Sequence, residues 1–244
     1  DLLILSTKEQ KDKKLIKNLF IYIGIILLCV VIYLFSSFVA IVLFVVLSAY
    51  HFGEEHLSHK INVNFVFNAV YFLSYGLFIF ALLFYQSMSD VDVIMTELTG
   101  GTFSKIQIEI TLIVSAIFLS TGSVYLILMK RNESVLFLRE FLYLVLLFLV
   151  FNTSSLILGF AIYFILWHSI PSIIHQIEFI SGSLNKRNVI TYVKKALIYW
   201  VISIAGLLVL YQLLPEIKLL ATVVFVILFA VTAPHTWVMH RMKN

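Results

Sequence analysis

Apolar residues fill the chain in long runs, and short polar segments separate each run from the next. The runs lack the strict alternation of apolar and polar positions that marks the strands of a membrane barrel. A helix of about 20 apolar residues is long enough to cross the hydrocarbon core of a bilayer. The pattern therefore predicts transmembrane helices, with complete spans at 15–35, 38–56, 65–85, 105–129, 137–151, 156–178, 196–214 and 218–240.

The composition of the chain agrees with this prediction. Of the 244 residues, 61% are apolar and 12% are charged, and the mean hydropathy is +1.04. So few polar residues cannot cover a soluble core of this size. We expect an all-α polytopic transmembrane helix bundle in which residues 1–244 form a single integral membrane domain. Residues 1–6 are interpreted as the end of a truncated N-terminal helix, in addition to the eight complete spans.

Lysine and arginine are concentrated in alternate connections between the predicted spans. Cytoplasmic loops carry an excess of these residues, and a single orientation accounts for every loop. We therefore expect a multi-pass protein of the plasma membrane, the inner membrane of a bacterium, with a cytoplasmic C-terminus. The same rule explains the net charge of +4, which does not indicate a nucleic-acid partner. The basic connections are 8–17, 57–64, 130–136, 181–195 and the C-terminus, and the others are 36–37, 86–104, 152–155 and 215–217.

Two histidines, His168 and His175, lie inside the apolar run at 161–180 together with Pro171. An ionisable side chain is costly in a membrane and is a functional candidate by default. Their spacing places the two histidines about 20° apart around a helix and about 10 Å apart along it. They share a face but cannot easily bind one metal ion, and Pro171 is expected to kink the helix between them. The alternative is two buried histidines that donate hydrogen bonds to carbonyl groups of neighbouring helices.

Five histidines on three helices are predicted to lie in the cytoplasmic half of the membrane. Counted along each helix from its outer end, His51 lies about 20 Å deep and His168 about 18 Å deep. His56, His175 and His235 lie about 25 to 28 Å deep, near the cytoplasmic side. Convergence on one site explains this distribution better than scattered filling of the interior. The chain has a single cysteine, so a metal there would have nitrogen or oxygen ligands, which suit iron, copper or zinc.

The segment 49–59, AYHFGEEHLSH, places acidic residues beside His51. Glu55 lies one helical turn after His51, and a metal-bound histidine usually donates its second N–H to a carboxylate or carbonyl group. Glu54 or Glu55 could accept that hydrogen bond. The alternative is a pair of carboxylates at the membrane end that faces cytoplasmic water. Gly53 would allow another backbone or a flat ligand to approach closely.

Three short motifs carry a resemblance to a known family. They are YHFGEEH at 50–56, WHSIPS at 167–172 and APHTWV at 233–238. In these motifs and in the order of its spans, the chain resembles the Brp/Blh family of membrane β-carotene 15,15′-dioxygenases. Members of that family cleave β-carotene into two molecules of retinal. The resemblance implies that His51 and His168 are ligands of a non-haem ferrous iron, Fe2+.

The chain departs from the pattern of this family at the remaining ligands. One family histidine would lie just upstream of Asp1, and another corresponds to Ser172. His56 stands where the family often has an acidic residue. The residues considered as further ligands, or as partners of the ligands, are His56, His175, His235, Glu55 and Ser172.

The resemblance implies that O2 cleaves the central double bond of β-carotene at the iron and gives two molecules of all-trans-retinal. It also implies a microbial rhodopsin as a functional partner that receives the retinal. The substrate is about as long as the bilayer core is thick, so we expect a tunnel between helices that opens to lipid. A polyene offers only dispersion and π contacts, so aromatic side chains would line this tunnel. Candidates, for which the alternative is ordinary packing or an interfacial belt, are Tyr50, Phe52, Trp167 and Trp237.

Two other functions share some of these features. A proton- or ion-coupled transporter would also place histidine and glutamate beside a proline-broken helix near the middle of the membrane. The sequence shows no inverted repeat, and charged residues are nearly absent outside the cytoplasmic half. A di-iron membrane desaturase would need HxxxH and HxxHH motifs, which the sequence lacks. The transporter is therefore the main alternative.

Overall fold

The computed structural model of the protein describes residues 4, 12–61, 63–129, 134–214 and 217–243. Within these ranges the chain is helical and contains no β-strand, which confirms the all-α class. The helices are α1 (Asp12–Phe35), α2 (Ser37–Leu57), α3 (Phe65–Gln86), α4 (Met88–Thr99), α5 (Lys105–Leu128), α6 (Ser134–Thr153), α7 (Leu156–Tyr163), the π-helical segment π1 (Phe164–Ser169), α8 (Ile170–Ser181), α9 (Lys186–Leu213) and α10 (Ile217–Lys243).

In the described part of the chain, seven helices are long and apolar enough to span a membrane. The multi-pass architecture is confirmed, but the prediction of eight complete spans is wrong by one. The predicted span at 137–151 lies within α6 (Ser134–Thr153) and is not among these seven. The seven spans are Leu15–Phe35, Ser37–Leu57, Phe65–Gln86, Lys105–Leu128, Leu156–Ser181, Lys186–Leu213 and Thr222–Arg241.

The connection predicted at 86–104 contains a helix of its own, α4. Val91 and Met95 on this helix are buried, which gives the segment an apolar side that its acidic residues conceal in the sequence. The helix ends at Gly100, which has the left-handed conformation with φ of 73°. Residues 215 and 216 of the connection predicted at 215–217 lie outside the described residues, as does the helix end predicted at 1–6 apart from residue 4.

Polar residues between the apolar runs explain where several helices begin. The side chain of Asn64 accepts a hydrogen bond from the N–H of Phe67 at 2.9 Å and fixes the start of α3. Ser104 and Gln107 form a reciprocal capping box at the start of α5. The connections therefore set the ends of the helices as well as joining them.

The helices group into two compact units. The first contains Asp1–Ile41 and Ile170–Asn244, in which α1 packs on α10 and α8 packs on α9. The second contains Val42–Ser169, in which α4, α5, α6 and α7 all pack against α3. The sequence of α3 is apolar on all sides, as expected for a helix with several neighbours. The organisation as a single membrane domain stays a prediction.

Candidate metal centre

His51 and His168 lie side by side in the second unit. His51 belongs to α2 and His168 to π1, and only 0% and 6% of their surfaces are exposed. Their rings meet edge to face with centroids 5.1 Å apart, and a ring nitrogen of each lies within 4.8 Å of the other. Neutral imidazoles at this spacing offer two nitrogen ligands to a transition metal. The structure thus brings together the two histidines that the sequence places at equal depth.

A π-helical segment presents His168 at this position. It spans Phe164–Ser169 and ends just before Pro171. Proline has no backbone N–H, so the carbonyl group of Trp167, one turn earlier, loses its usual helical donor. Turns of this kind are rare and are frequently found at functional sites. The sequence predicts an irregular helix near Pro171, and the structure has the irregularity around His168 itself.

Aromatic rings surround the histidine pair. Phe52 follows His51 in α2, and its ring centroid lies 4.5 Å from that of His168. Phe164, one turn before His168, lies 5.2 Å from it. Phe80 of α3 stacks on Phe52 at 5.7 Å. An apolar surrounding of this kind limits the access of water to the two imidazoles and lowers the local dielectric constant.

The predicted lining residues Trp167 and Trp237 have other neighbours. Trp167 packs edge to face against Tyr143 of α6, with centroids 6.2 Å apart. Trp237 lies in the first unit, where the guanidinium group of Arg241 is 4.9 Å from its ring centroid. Phe52, which touches His168, is therefore the strongest of the aromatic candidates for contact with a substrate.

Glu54 and Glu55 are buried, with 4% and 2% of their surfaces exposed. This burial overturns the alternative in which the two carboxylates face cytoplasmic water. Tyr50, one turn earlier, is half-buried and donates its hydroxyl to Oε1 of Glu54 at 3.3 Å. Glu55 lies one turn after His51 on the same helix, where it could accept a hydrogen bond from the His51 ring. That hydrogen bond stays a prediction.

Gly53 and Gly76 bring α2 and α3 into backbone contact. A Cβ atom on Gly53 would lie 1.9 Å from the carbonyl oxygen of Phe72, and one on Gly76 would lie 1.9 Å from that of Ala49. Small residues permit such close packing of helices in membranes. The prediction that Gly53 admits a neighbouring backbone is confirmed. The helix that carries His51 is therefore held directly against the central helix of its unit.

His56 has a carboxylate partner on another helix. It lies about 140° around α2 from His51, because the two are five residues apart. Its Nε2 atom is 2.5 Å from Oε2 of Glu140 in α6, and its ring stacks on Tyr75 with centroids 5.2 Å apart. Lys60 and Tyr75 also donate hydrogen bonds to Glu140, each at 3.2 Å. We name Glu140, His56, Lys60 and Tyr75 the Glu140 cluster.

Sequence reasoning missed Glu140, although a signal was present. Glu140 lies inside an apolar run and is 7% exposed, so the argument that singled out the membrane histidines applies to it equally. The adjacent Arg139 makes the two residues resemble a solvent-exposed ion pair in the sequence, and its Nε lies 3.7 Å from Oε1 of Glu140. Lys60, at the outer edge of the cluster, is partly buried. Burial lowers the pKa of this ammonium group, and the nearby Glu140 carboxylate acts in the opposite direction.

Ser172, His175 and His235 belong to the first unit. Ser172, where the family has a histidine, is buried, and its hydroxyl accepts a hydrogen bond from Gln176 at 3.3 Å. Gln176 in turn accepts a hydrogen bond from the Tyr192 hydroxyl at 2.9 Å. His175 and His235 are partly exposed on α8 and α10. The assignment of either histidine as a metal ligand stays a prediction.

Comparison with known proteins separates the functions that the sequence leaves open. A sequence profile of the beta-carotene 15,15'-dioxygenase family, BCD, matches residues 1–243. The chain belongs to this family. No curated protein and no solved structure gives a match. The resemblance drawn from the three motifs is thereby confirmed, and membership favours a carotenoid dioxygenase over a transporter.

Proposed function

We propose that this protein cleaves the central double bond of β-carotene with O2 and releases two molecules of all-trans-retinal. Membership of the family supports the reaction class. The observation that carries the proposal is the pair of buried histidines, His51 and His168, whose rings meet 5.1 Å apart. Such a pair inside an apolar helix bundle has the donor chemistry of a metal centre that a lipid-soluble substrate can reach.

Ferrous iron is the metal that we propose for this pair. The residues fit it, because two buried imidazoles offer neutral nitrogen ligands and leave other coordination positions open. His51 and His168 would hold the iron, which when bound supplies the binding and activation of O2. His56 is assigned to the Glu140 cluster and not to the metal. A further ligand is proposed from the sequence alone at His175 or His235.

The side chains around the pair would position the substrate and exclude water. Phe52 and Phe164 lie against His168, and their rings offer the dispersion and π contacts that a polyene can use. Holding the reacting double bond beside the histidines replaces a random encounter by a fixed geometry. Glu55 would accept the second N–H of His51 and so fix the orientation of its ring. This reaction class needs no proton transfer by a side chain, which suits an aromatic surrounding.

Substrate and product would both travel through the lipid. β-Carotene is apolar, and the apolar spans allow it to approach the protein from the side of the bilayer. We propose the plasma membrane as the location, with the C-terminus in the cytoplasm. Retinal released into the same membrane would be available to a microbial rhodopsin.

Loss of colour tests the proposal. Cells that make β-carotene should lose their orange pigment when the protein is co-expressed, and their extracts should contain two molecules of retinal for each β-carotene consumed. His168→Ala serves as the inactive variant, and His59→Ala, at an exposed position, serves as the matched active one. Pigment that persists beside normally expressed wild-type protein, or a product other than retinal, contradicts the proposal.

A further inference from the structure

Glu140 is a carboxylate inside an apolar helix, and its side chain is only 9% exposed. A buried carboxylate is costly unless its oxygen atoms are hydrogen-bonded or paired with a positive charge. Both oxygens meet this condition. His56 and Tyr75 reach Oε2 at 2.5 and 3.2 Å, and Lys60 reaches Oε1 at 3.2 Å. Removing the carboxylate would therefore leave three buried or half-buried polar groups without their partner.

The Glu140 cluster connects the segments that carry the histidine pair. Its members come from α2, the segment that follows α2, α3 and α6. His56 also meets Tyr143 edge to face, with ring centroids 6.1 Å apart, and Tyr143 meets Trp167 at 6.2 Å. Trp167 immediately precedes His168 in π1. The cluster thus includes a residue of α2 five positions after His51 and is linked through Tyr143 to Trp167, the residue before His168.

The place of His56 on α2 lets the cluster control the rotation of this helix. The contact at Gly53 sets the distance between α2 and α3. It is made at the backbone, about 2.3 Å from the helix axis, and so should resist rotation less than a contact at the end of a side chain. His56 points about 140° away from His51, so an anchor at its ring holds the helix from another side. A rotation of about 20° would move a side chain at the helix surface by about 2 Å. A misplacement of about 1 Å can already lower a rate about a hundredfold.

We infer that Glu140 is a positioning residue that acts through His56 to fix the rotation of α2 and so the distance between His51 and His168. The inference rests on the proposed function, because it concerns the same histidine pair. The inference adds to the proposed site a carboxylate that acts on the histidine pair through the side chain of His56. The charge matters as well as the shape, because two of its partners, His56 and Lys60, carry nitrogen atoms that pair best with an anion.

Glu140→Gln in the full-length protein tests the inference, because the amide keeps the shape and removes the charge. We expect the affinity for iron to fall about 10- to 100-fold, as is typical when a residue that orients a metal ligand is changed. The kcat of retinal formation should fall by a similar factor, while KM for β-carotene stays within about twofold. The matched control is Glu109→Gln in α5, a partly exposed glutamate that pairs with Lys105 at 3.7 Å, and it should match wild type.

His56→Gln and the double variant separate positioning from a general loss of structure. Since Glu140 is inferred to act through His56, the loss in the double variant should equal that of a single variant and not the product of both. Wild-type iron affinity and kcat in Glu140→Gln, or losses that multiply, would overturn the inference. If Glu140→Gln does not fold, wild-type iron affinity in His56→Gln overturns it instead. Failure of the proposed function would look different, because the wild-type protein itself would then form no retinal.

Discussion

Gly53→Ala should disturb the protein far more than one added methyl group normally does. The new Cβ atom would lie 1.9 Å from the carbonyl oxygen of Phe72, whereas carbon and oxygen need about 3.3 Å. The obstacle is backbone, so no side chain can turn aside, and α2 and α3 must separate by about 1.4 Å. Strain of this kind costs about 1–3 kcal/mol. Only at the low end of that range would it be offset by the roughly 0.8–1.0 kcal/mol that alanine gains over glycine inside a helix.

The same separation would displace His51, which lies two residues before Gly53. We therefore expect retinal formation to fall about 100-fold, since a shift of about 1 Å near a reacting group has that effect. Gly24→Ala in α1 is the matched control, because no atom lies within 4 Å of its added Cβ. Thermal unfolding in lipid or detergent and retinal yield measure both variants, and Gly24→Ala should equal or exceed wild type in stability. A Gly53→Ala protein with wild-type stability and activity would refute the close approach of the two helices.

The remaining predictions concern the ligands and the orientation. His51→Ala and His168→Ala should each abolish retinal formation and lower bound iron, while the helical circular dichroism is retained; a normal yield from either variant removes that histidine from the ligand set. His175→Ala and His235→Ala should differ, because the one that binds the metal loses iron and activity. If both keep full iron and activity, neither is a ligand. The Asp92→Cys variant should react with a membrane-impermeant thiol reagent added outside the cell. Labelling only from the cytoplasmic side would show that the predicted orientation is wrong.

The helix bundle could be predicted from the sequence because a membrane leaves few alternatives. An apolar run of about 20 residues must satisfy its backbone hydrogen bonds internally, so it forms a helix. The helix α4 was missed for the opposite reason. Its acidic residues Asp90 and Asp92 resemble those of a solvated loop, and a short surface helix with only two buried residues, Val91 and Met95, gives little periodic signal.

The sequence could predict how deep in the membrane the histidines lie, but not which neighbouring helix each side chain faces. The constant rise of a helix places His51 and His168 at one level, and the structure brings their rings together. The partner of His56 could not be predicted, because it lies on a helix more than 80 residues away in the sequence. Gly76 was missed because its role depends on which helix lies opposite, whereas Gly53 was noticed through its neighbours in the motif.

The π-helical segment lets this span hold one residue more without turning the side chains that follow. A π-turn holds about one residue more than an α-turn. Deleting one residue from Phe164–Ser169, for example the exposed Leu166, would therefore let the segment wind as an α-helix and leave the rest of the span near its present orientation. The same deletion in the α-helix after Ser169 would turn every later side chain of that helix by about 100°. In an alignment of the family, a one-residue gap at 164–169 would thus mark the loss of the π-turn and not a rotation of the whole helix.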